Sequence, residues 1–176
     1  MKKIFVTGNK NKFEEAVRII PDLVQKDMDL VELQEIDSQK IITYKLVEAK
    51  KELSGNLIVE DNALYLEALN GLPGPLIKWF LKTIGNDGLV KICNSFGNNK
   101  ATAKVIIGFS TENGDIKFFE GSIEGKIVKP RGEYGFGWDA IFQPMGSAKT
   151  FGEMTQEEKN SISMRKIAFE NLKNSL

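Results

Sequence analysis

The chain has 176 residues with 24 basic and 24 acidic side chains, so its formal net charge is zero. That balance provides no broad positive field, and we expect neither nucleic acid nor a membrane surface as a partner. The single cysteine, Cys93, excludes an internal disulfide, and the opening residues predict a short strand and no secretory leader, so a cytoplasmic location is expected.

The absence of histidine narrows the chemistry further. It excludes serine or cysteine triads that use an imidazole base, and it excludes histidine-based zinc sites. Acid–base catalysis would fall to carboxylates, lysines or tyrosines. A metal site would be oxygen-rich, which favours Mg²⁺, with Mn²⁺ as the alternative.

Apolar periodicity predicts a mixed α/β chain in which strands and helices alternate before a long hairpin and a final helix. The predicted elements are a strand over 2–6, a helix over 13–20, a strand over 28–34, a helix over 38–54, a strand over 57–59, helices over 76–84 and 87–93, strands over 101–111 and 116–128, a strand over 140–142, and a helix from 155 onwards. Together they predict one domain over 1–176, with helices on a twisted sheet and the hairpin forming one lobe.

Two lysines stand where the first strand gives way to a helix, in the segment Thr7-Gly8-Asn9-Lys10-Asn11-Lys12. A helix N-terminus already carries partial positive charge, so lysines are unfavourable there unless an anion shares the position. Backbone N–H groups of the turn, together with Lys12 and Lys10, would bind phosphate. A solvated helix start capped by Asn9 explains the same residues equally well.

Carboxylates are predicted at the ends of two neighbouring strands. Glu32 lies within or at the end of the second strand, and Glu60-Asp61 ends the third. Ligands of open α/β sheets bind beyond strand ends, and Mg²⁺ needs only one or two carboxylates when phosphates supply further oxygens. Turn capping by Asp61 or Asn62 is the alternative, although Asp61 closely follows a buried apolar run.

Two later segments carry candidate base contacts. A glycine-rich loop holds Phe136 and Trp138, which are suited to stacking on a base, and Asp139, which could accept hydrogen bonds from its edge. Core filling by the aromatic rings is the alternative, and it is favoured for Phe136 taken alone. Lys159, Ser163 and Arg165, near the last helix start, would hold phosphate or a base carbonyl, or form a solvated helix face.

Four segments in this order make the chain resemble the inosine triphosphatase (Ham1/RdgB-like) family of pyrophosphatases, which act on non-standard purine nucleotides. TGNKNK resembles the opening T-G-N-x-x-K, VEDNALYLEALNGLPGP resembles the acidic segment, and FGWD is similar to the base-binding loop. TFGEMTQEEKNSISMR corresponds to the closing segment, in which E-K-N…S-H-R is usual. The likeness covers essentially the whole chain.

The resemblance implies a role for each matching residue. Catalysis is assigned to Asp61, with Lys12 and Glu60, and metal binding to Glu32 and Asp61. Substrate contacts are assigned to Thr7, Gly8, Asn9, Lys10, Asn11, Lys12, Lys45, Asn62, Phe136, Gly137, Trp138, Asp139, Lys159, Ser163, Met164 and Arg165. Two positions depart from the family pattern, because Met164 stands where histidine is usual and Asn62 where serine or threonine is common.

The resemblance also implies an α/β fold with two lobes around a long mixed sheet, a homodimer and a requirement for magnesium. The implied reaction converts inosine, deoxyinosine or xanthosine triphosphate to the monophosphate and pyrophosphate. Two alternatives stay open. One is a Maf-like pyrophosphatase that acts on pyrimidine or modified nucleotides, and the other is a non-catalytic nucleotide-binding protein.

Overall fold

The structure, a computed structural model, describes residues 2–176. In that range the strands are β1 (Lys3–Val6), β2 (Leu23–Lys26), β3 (Asn56–Leu66), β4 (Pro73–Gly74), β5 (Lys100–Ser110), β6 (Ile116–Ile127) and β7 (Phe142–Pro144). The helices are α1 (Lys10–Ile19), α2 (Ser38–Lys50), α3 (Ile77–Thr83), α4 (Gly85–Ser95), α5 (Gln156–Ile162) and α6 (Met164–Lys173). None of the helices described is long and apolar enough to span a bilayer.

The strands form one mixed sheet in the order β2-β1-β3-β5-β6-β7, with the short β4 paired to β3. β1 runs parallel to β2 and β3, whereas the β3–β4 and β6–β7 pairs are antiparallel. β5 and β6 are hydrogen-bonded neighbours joined only by residues 111–115, which makes them a hairpin. The predicted mixed sheet with flanking helices is therefore confirmed.

The chain divides into two compact units. Unit 1 comprises residues 2–62, 105–121 and 164–176, and unit 2 comprises 63–104 and 122–163. The predicted phosphate and metal residues fall in unit 1, and the aromatic loop falls in unit 2.

One face of the sheet in unit 1 packs on α2. Leu57 and Val59 of β3 belong to a buried cluster with Ile42 and Leu46 of α2. The contact is close, since a Cβ added to Gly108 of β5 would lie 2.2 Å from Cγ2 of Ile42. Because side chains alternate along a strand, the odd-numbered residues of β3 face α2.

The opposite face of unit 1 packs on α1 and α6. Phe5 of β1 meets Phe169 of α6 edge to face, with ring centroids 5.4 Å apart. Ile58 of β3 is the register partner of Phe5 and is fully buried. The even-numbered residues of β3 therefore face α1 and α6, which decides where the carboxylates that follow will point.

The predicted second strand over 28–34 is wrong. The second strand of the chain is Leu23–Lys26, and all four of its residues are in parallel register with β1. The N–H of Leu30 donates to the carbonyl of Met28 at 3.0 Å, a tight turn that an extended strand does not contain. Met28 and Leu30 still pack against the core, so their apolar alternation reflects burial in an irregular segment.

Three other boundaries also differ from prediction. β3 does not end at Val59 but continues to Leu66, so the acidic residues lie inside a strand. The last strand covers 142–144 instead of 140–142, because residues 139–141 form a 3₁₀ turn. The final helix is two helices, broken where Ser163 adopts an extended conformation.

Candidate active site

Neighbouring carboxylates on β3 have different surroundings because they point to opposite faces of the sheet. Glu60 continues the even-numbered face and meets Lys12 of α1 and Arg165 of α6. Asp61 continues the odd-numbered face and meets Lys45 of α2. The two acids therefore cannot share one role.

Glu60 is buried and fully paired. Nε and Nη2 of Arg165 donate to its two carboxylate oxygens at 2.8 and 3.0 Å. Nζ of Lys12 lies 3.0 Å from Oε1 of Glu60. Burial opposes ionisation, but the charges and hydrogen bonds of Arg165 and Lys12 outweigh it and lower the pKa of Glu60 to about 2. This carboxylate stays ionised and serves to hold two cations in place.

Glu15 of α1 is a site residue that the sequence reasoning missed. Its Oε2 accepts a hydrogen bond from Nη1 of Arg165, so all three guanidinium nitrogens donate to carboxylates. Arg165 is 1 % exposed, and the two acids hold its pKa above the usual value despite burial. Glu15 lies three residues after Lys12 and thus on the same helix face, a signal that could have identified it.

Of the two carboxylate oxygens of Asp61, one accepts a hydrogen bond and the other has no hydrogen-bond partner. Nζ of Lys45 donates to Oδ1 at 3.1 Å and to the carbonyl of Glu60 at 3.2 Å. Oδ2 is buried and has no hydrogen-bond partner. Burial raises the pKa of Asp61, and the charge of Lys45 only partly offsets this effect. A desolvated carboxylate with a free lone pair can accept a proton from water or bind a cation.

The opening turn is built as a capped helix start. Oδ1 of Asn9 accepts the N–H of Lys12 at 3.2 Å, and Oγ1 of Thr7 accepts the N–H of Asn9 at 3.2 Å. The expected Asn9 cap is therefore confirmed. Gly8, Lys10 and Asn11 are exposed, and no acidic residue lies in the first turn of α1. Phosphate binding at this turn stays a prediction.

Glu32 lies apart from any strand, in the irregular segment described above, and it is exposed. Within residues 2–176 no cluster of three or more acidic or cysteine side chains could hold a metal. The open Oδ2 of Asp61 nevertheless fits one ligand position of Mg²⁺, provided that substrate oxygens supply others. Metal binding by Glu32 together with Asp61 stays a prediction.

In unit 2, the aromatic loop is organised by Asp139. Its Oδ2 accepts the N–H of Phe136 at 2.8 Å and Nζ of Lys159 at 2.7 Å. Lys159 is 3 % exposed, and its Nζ lies 4.9 Å from the Phe136 ring centroid and 5.5 Å from that of Phe151. A buried ammonium beside an aromatic ring is equipped to bind an acceptor-bearing planar group.

The two rings of this loop that were predicted to stack on a base, Phe136 and Trp138, differ in exposure. Trp138 is 4 % exposed and packs on Phe142, with ring centroids 5.4 Å apart, so it fills the core of unit 2. Phe136, for which core filling was favoured, is only half-buried. The stacking role predicted for these rings therefore suits Phe136 better than Trp138.

The remaining predicted residues lie at the break between α5 and α6 or beside Asp61. Ser163 and Met164 are buried at that break. They do not share a continuous helix with Lys159, which lies in α5. Asn62 is half-buried, and its Oδ1 has no hydrogen-bond partner.

Known proteins resemble this chain over nearly its full length. Residues 3–175 match the model of the Ham1 family. The chain is 41% identical to inosine triphosphate pyrophosphatase of Schizosaccharomyces pombe and 43% identical to that of Kluyveromyces lactis, each over 98% of this chain and 94% of the relative. The Staphylococcus aureus Ham1 protein superposes with a TM-score of 0.83 at 27% identity, covering 99% of this chain and 97% of that one. The chain belongs to the Ham1 family.

Proposed function

We propose that the chain hydrolyses non-standard purine nucleoside triphosphates, namely those of inosine, deoxyinosine and xanthosine, to the monophosphate and pyrophosphate. The observation that carries the proposal is Asp61, a desolvated carboxylate with one open oxygen beside a lysine. The names of the relatives support the same reaction. A Maf-like activity and a non-catalytic binding role are not favoured, since the matched relatives are named as inosine triphosphate pyrophosphatases.

Asp61 acts as the general base, accepting the proton of the water that attacks the α-phosphorus. Glu60 does not compete for this role, because its paired oxygens and low pKa leave it a poor proton acceptor. Instead Glu60 positions Lys12, which with Lys45 offsets the charge of the leaving pyrophosphate.

Mg²⁺, with Mn²⁺ as a substitute, would be held by Asp61 and Glu32 together with substrate oxygens. When bound, it supplies charge neutralisation and orientation for the triphosphate. The exposed residues Gly8, Lys10 and Asn11 would contribute backbone N–H donors at the start of α1 to the phosphates.

The base would be recognised in unit 2. Phe136 stacks on the purine, and Asp139 fixes both Phe136 and Lys159. Trp138 supports this loop from the core of unit 2, and Ser163 of the same unit is a further predicted contact. A hydrogen-bond donor of the protein can pair with the 6-oxo group of hypoxanthine or xanthine, whereas it would face the 6-amino donor of adenine. Leaving these two donors unpaired costs about 1–3 kcal/mol, which is tenfold to a hundredfold in discrimination.

We further expect a cytoplasmic homodimer.

The proposed function is tested by pyrophosphate release with Mg²⁺ from inosine, xanthosine, adenosine, guanosine and uridine triphosphates in parallel. We expect kcat/KM for inosine and xanthosine triphosphates to exceed that for adenosine triphosphate by at least about tenfold. Preference for uridine triphosphate would favour the Maf-like alternative. Binding without turnover of any of the five would refute the enzymatic assignment.

Met164 is expected to widen the substrate range. Guanine shares the 6-oxo group and must be rejected at its 2-amino group, and an unbranched methionine adapts to such a group more readily than a rigid ring. We therefore expect guanosine triphosphate turnover measurably above background, and a lower guanosine-to-inosine ratio of kcat/KM in Met164→His. Guanosine triphosphate turnover at background level in the wild type would contradict this expectation.

A further inference from the structure

Asn86, which the sequence analysis did not single out, contacts the aromatic loop from a neighbouring helix of unit 2. It is the second residue of α4, and α4 packs against the turn 139–141. Its Nδ2 donates to the carbonyl of Gly137 at 3.1 Å. A residue of α4 thus holds the middle of the loop that carries Phe136.

The orientation of the Asn86 amide follows from this contact. A carbonyl oxygen only accepts, so the nitrogen side of the amide must face Gly137. Oδ1 is left buried with no hydrogen-bond partner. Leaving a buried acceptor unpaired costs stability, so this arrangement of Asn86 is unfavourable for the fold by itself.

The carbonyl that Asn86 holds belongs to a residue with few other constraints. Gly137 has φ +64°, a conformation that side-chain-bearing residues rarely adopt, and glycine can leave it at little cost. Its Cα lies against α3, since an added Cβ would be 3.7 Å from Cδ1 of Leu81. Asp139 binds the N–H of Phe136, and Asn86 binds the carbonyl of Gly137. These two hydrogen bonds fix the backbone on both sides of Phe136 and so set the direction of its ring.

We propose that Asn86 is a positioning residue for base selection, which fixes the Phe136–Gly137–Trp138 backbone so that Phe136 and Lys159 present one rigid surface to the purine. This inference rests on the base-binding role proposed above for the loop. The contact of Asn86 is with the proposed base-binding loop, and none of the residues proposed to bind the phosphates is its partner. Its removal should weaken discrimination between bases and affect the chemical step little.

Asn86→Asp tests the inference with little change of shape. The carboxylate cannot donate to the Gly137 carbonyl, yet an acid in the first turn of α4 is favourable for the helix, so the fold should be retained. Asn94→Asp is the control for the amide-to-acid change at an exposed position of the same helix. Because Asn94 lies in the last turn, where the helix dipole disfavours an acid, this variant also shows what destabilising α4 does by itself.

Three measurements apply to both variants and the wild type. In the nucleotide-free protein, hydrogen exchange of a peptide covering 131–139 should accelerate in Asn86→Asp only. The ratio of Kd values for adenosine and inosine monophosphates, measured by calorimetry, should fall by about fivefold, the effect of one hydrogen bond. For inosine triphosphate, KM should rise while kcat changes less than about twofold.

The outcomes separate this inference from the proposed function. Unchanged Kd ratios in Asn86→Asp would overturn the inference, even if exchange of the loop accelerates, because the contact would then be purely structural. An equal loss of discrimination in Asn94→Asp would also overturn it. A wild type that binds inosine monophosphate selectively but releases no pyrophosphate would refute the proposed function and leave the role of Asn86 intact.

Discussion

Asp61→Asn is expected to lower kcat for inosine triphosphate by about 10²- to 10⁴-fold, the range of one general base, while changing KM far less. The amide keeps the size of the side chain and can still meet Lys45, so the surroundings of β3 are preserved. What it loses is the ability to take up a proton. The measurement is steady-state pyrophosphate release at saturating Mg²⁺.

The same substitution should not destabilise the protein, and this separates a catalytic from a structural role. The pKa of Asp61 is raised in the folded state, chiefly by burial. The folded state therefore holds the proton more tightly than the unfolded state, and stability falls as pH rises through the folded pKa. At pH 7 the ionised Asp61 destabilises the fold, so Asp61→Asn should have a Tm equal to or above that of the wild type without divalent cations.

Asp115→Asn is the control for this experiment, since Asp115 is exposed in the turn between β5 and β6. It should match the wild type in both kcat and Tm. An Asp61→Asn protein that keeps kcat within about tenfold of the wild type would remove Asp61 from the role of general base.

Local apolar patterns were sufficient to predict most elements. Leu57-Ile58-Val59 is a short, partly β-branched run flanked by polar residues, and its length and composition favour a buried strand over a helix. The hairpin turn is marked by the residues Glu112-Asn113-Gly114-Asp115. The pattern failed over 28–34, because burial of Met28 and Leu30 in an irregular segment produces the same alternation as a strand. Alternation reports burial, and hydrogen bonding to a neighbouring strand is a separate condition.

The roles of the two acids could not be predicted for a different reason. If Glu60 and Asp61 lay at a strand end, as predicted, either could have been the general base. Inside β3 their side chains point to opposite faces of the sheet. Glu60 then meets Arg165 across 105 residues of sequence, and Glu15 meets the same arginine across 150. No spacing rule connects residues so far apart, so only the fold distinguishes the ion-paired acid from the open one.

Arg165→Met is expected to give the largest loss of stability, about 3–5 kcal/mol of unfolding free energy at pH 7, because it leaves Glu60 and Glu15 buried without their cation. Methionine retains an unbranched apolar stem of similar length, so cavity formation contributes little. Lys166→Met makes the same kind of change at the next residue of α6, at a pair with Glu170 on the surface, and should cost less than about 1 kcal/mol.

The pH dependence of that loss identifies its cause. In the wild type the pKa of Glu60 is lowered from 4.5 to about 2, so its contribution of about 3 kcal/mol is complete above pH 4.5 and disappears as pH falls towards 2. In Arg165→Met the buried acids Glu60 and Glu15 should instead have raised pKa values. Acidification then neutralises them and removes the cost of burying their unpaired charges. In denaturant unfolding from pH 7 to pH 3, the free energies of unfolding of the wild type and Arg165→Met should therefore become more similar as the pH falls. A difference that stays constant over this range would mean that lost packing, and not unpaired charge, destabilises the variant.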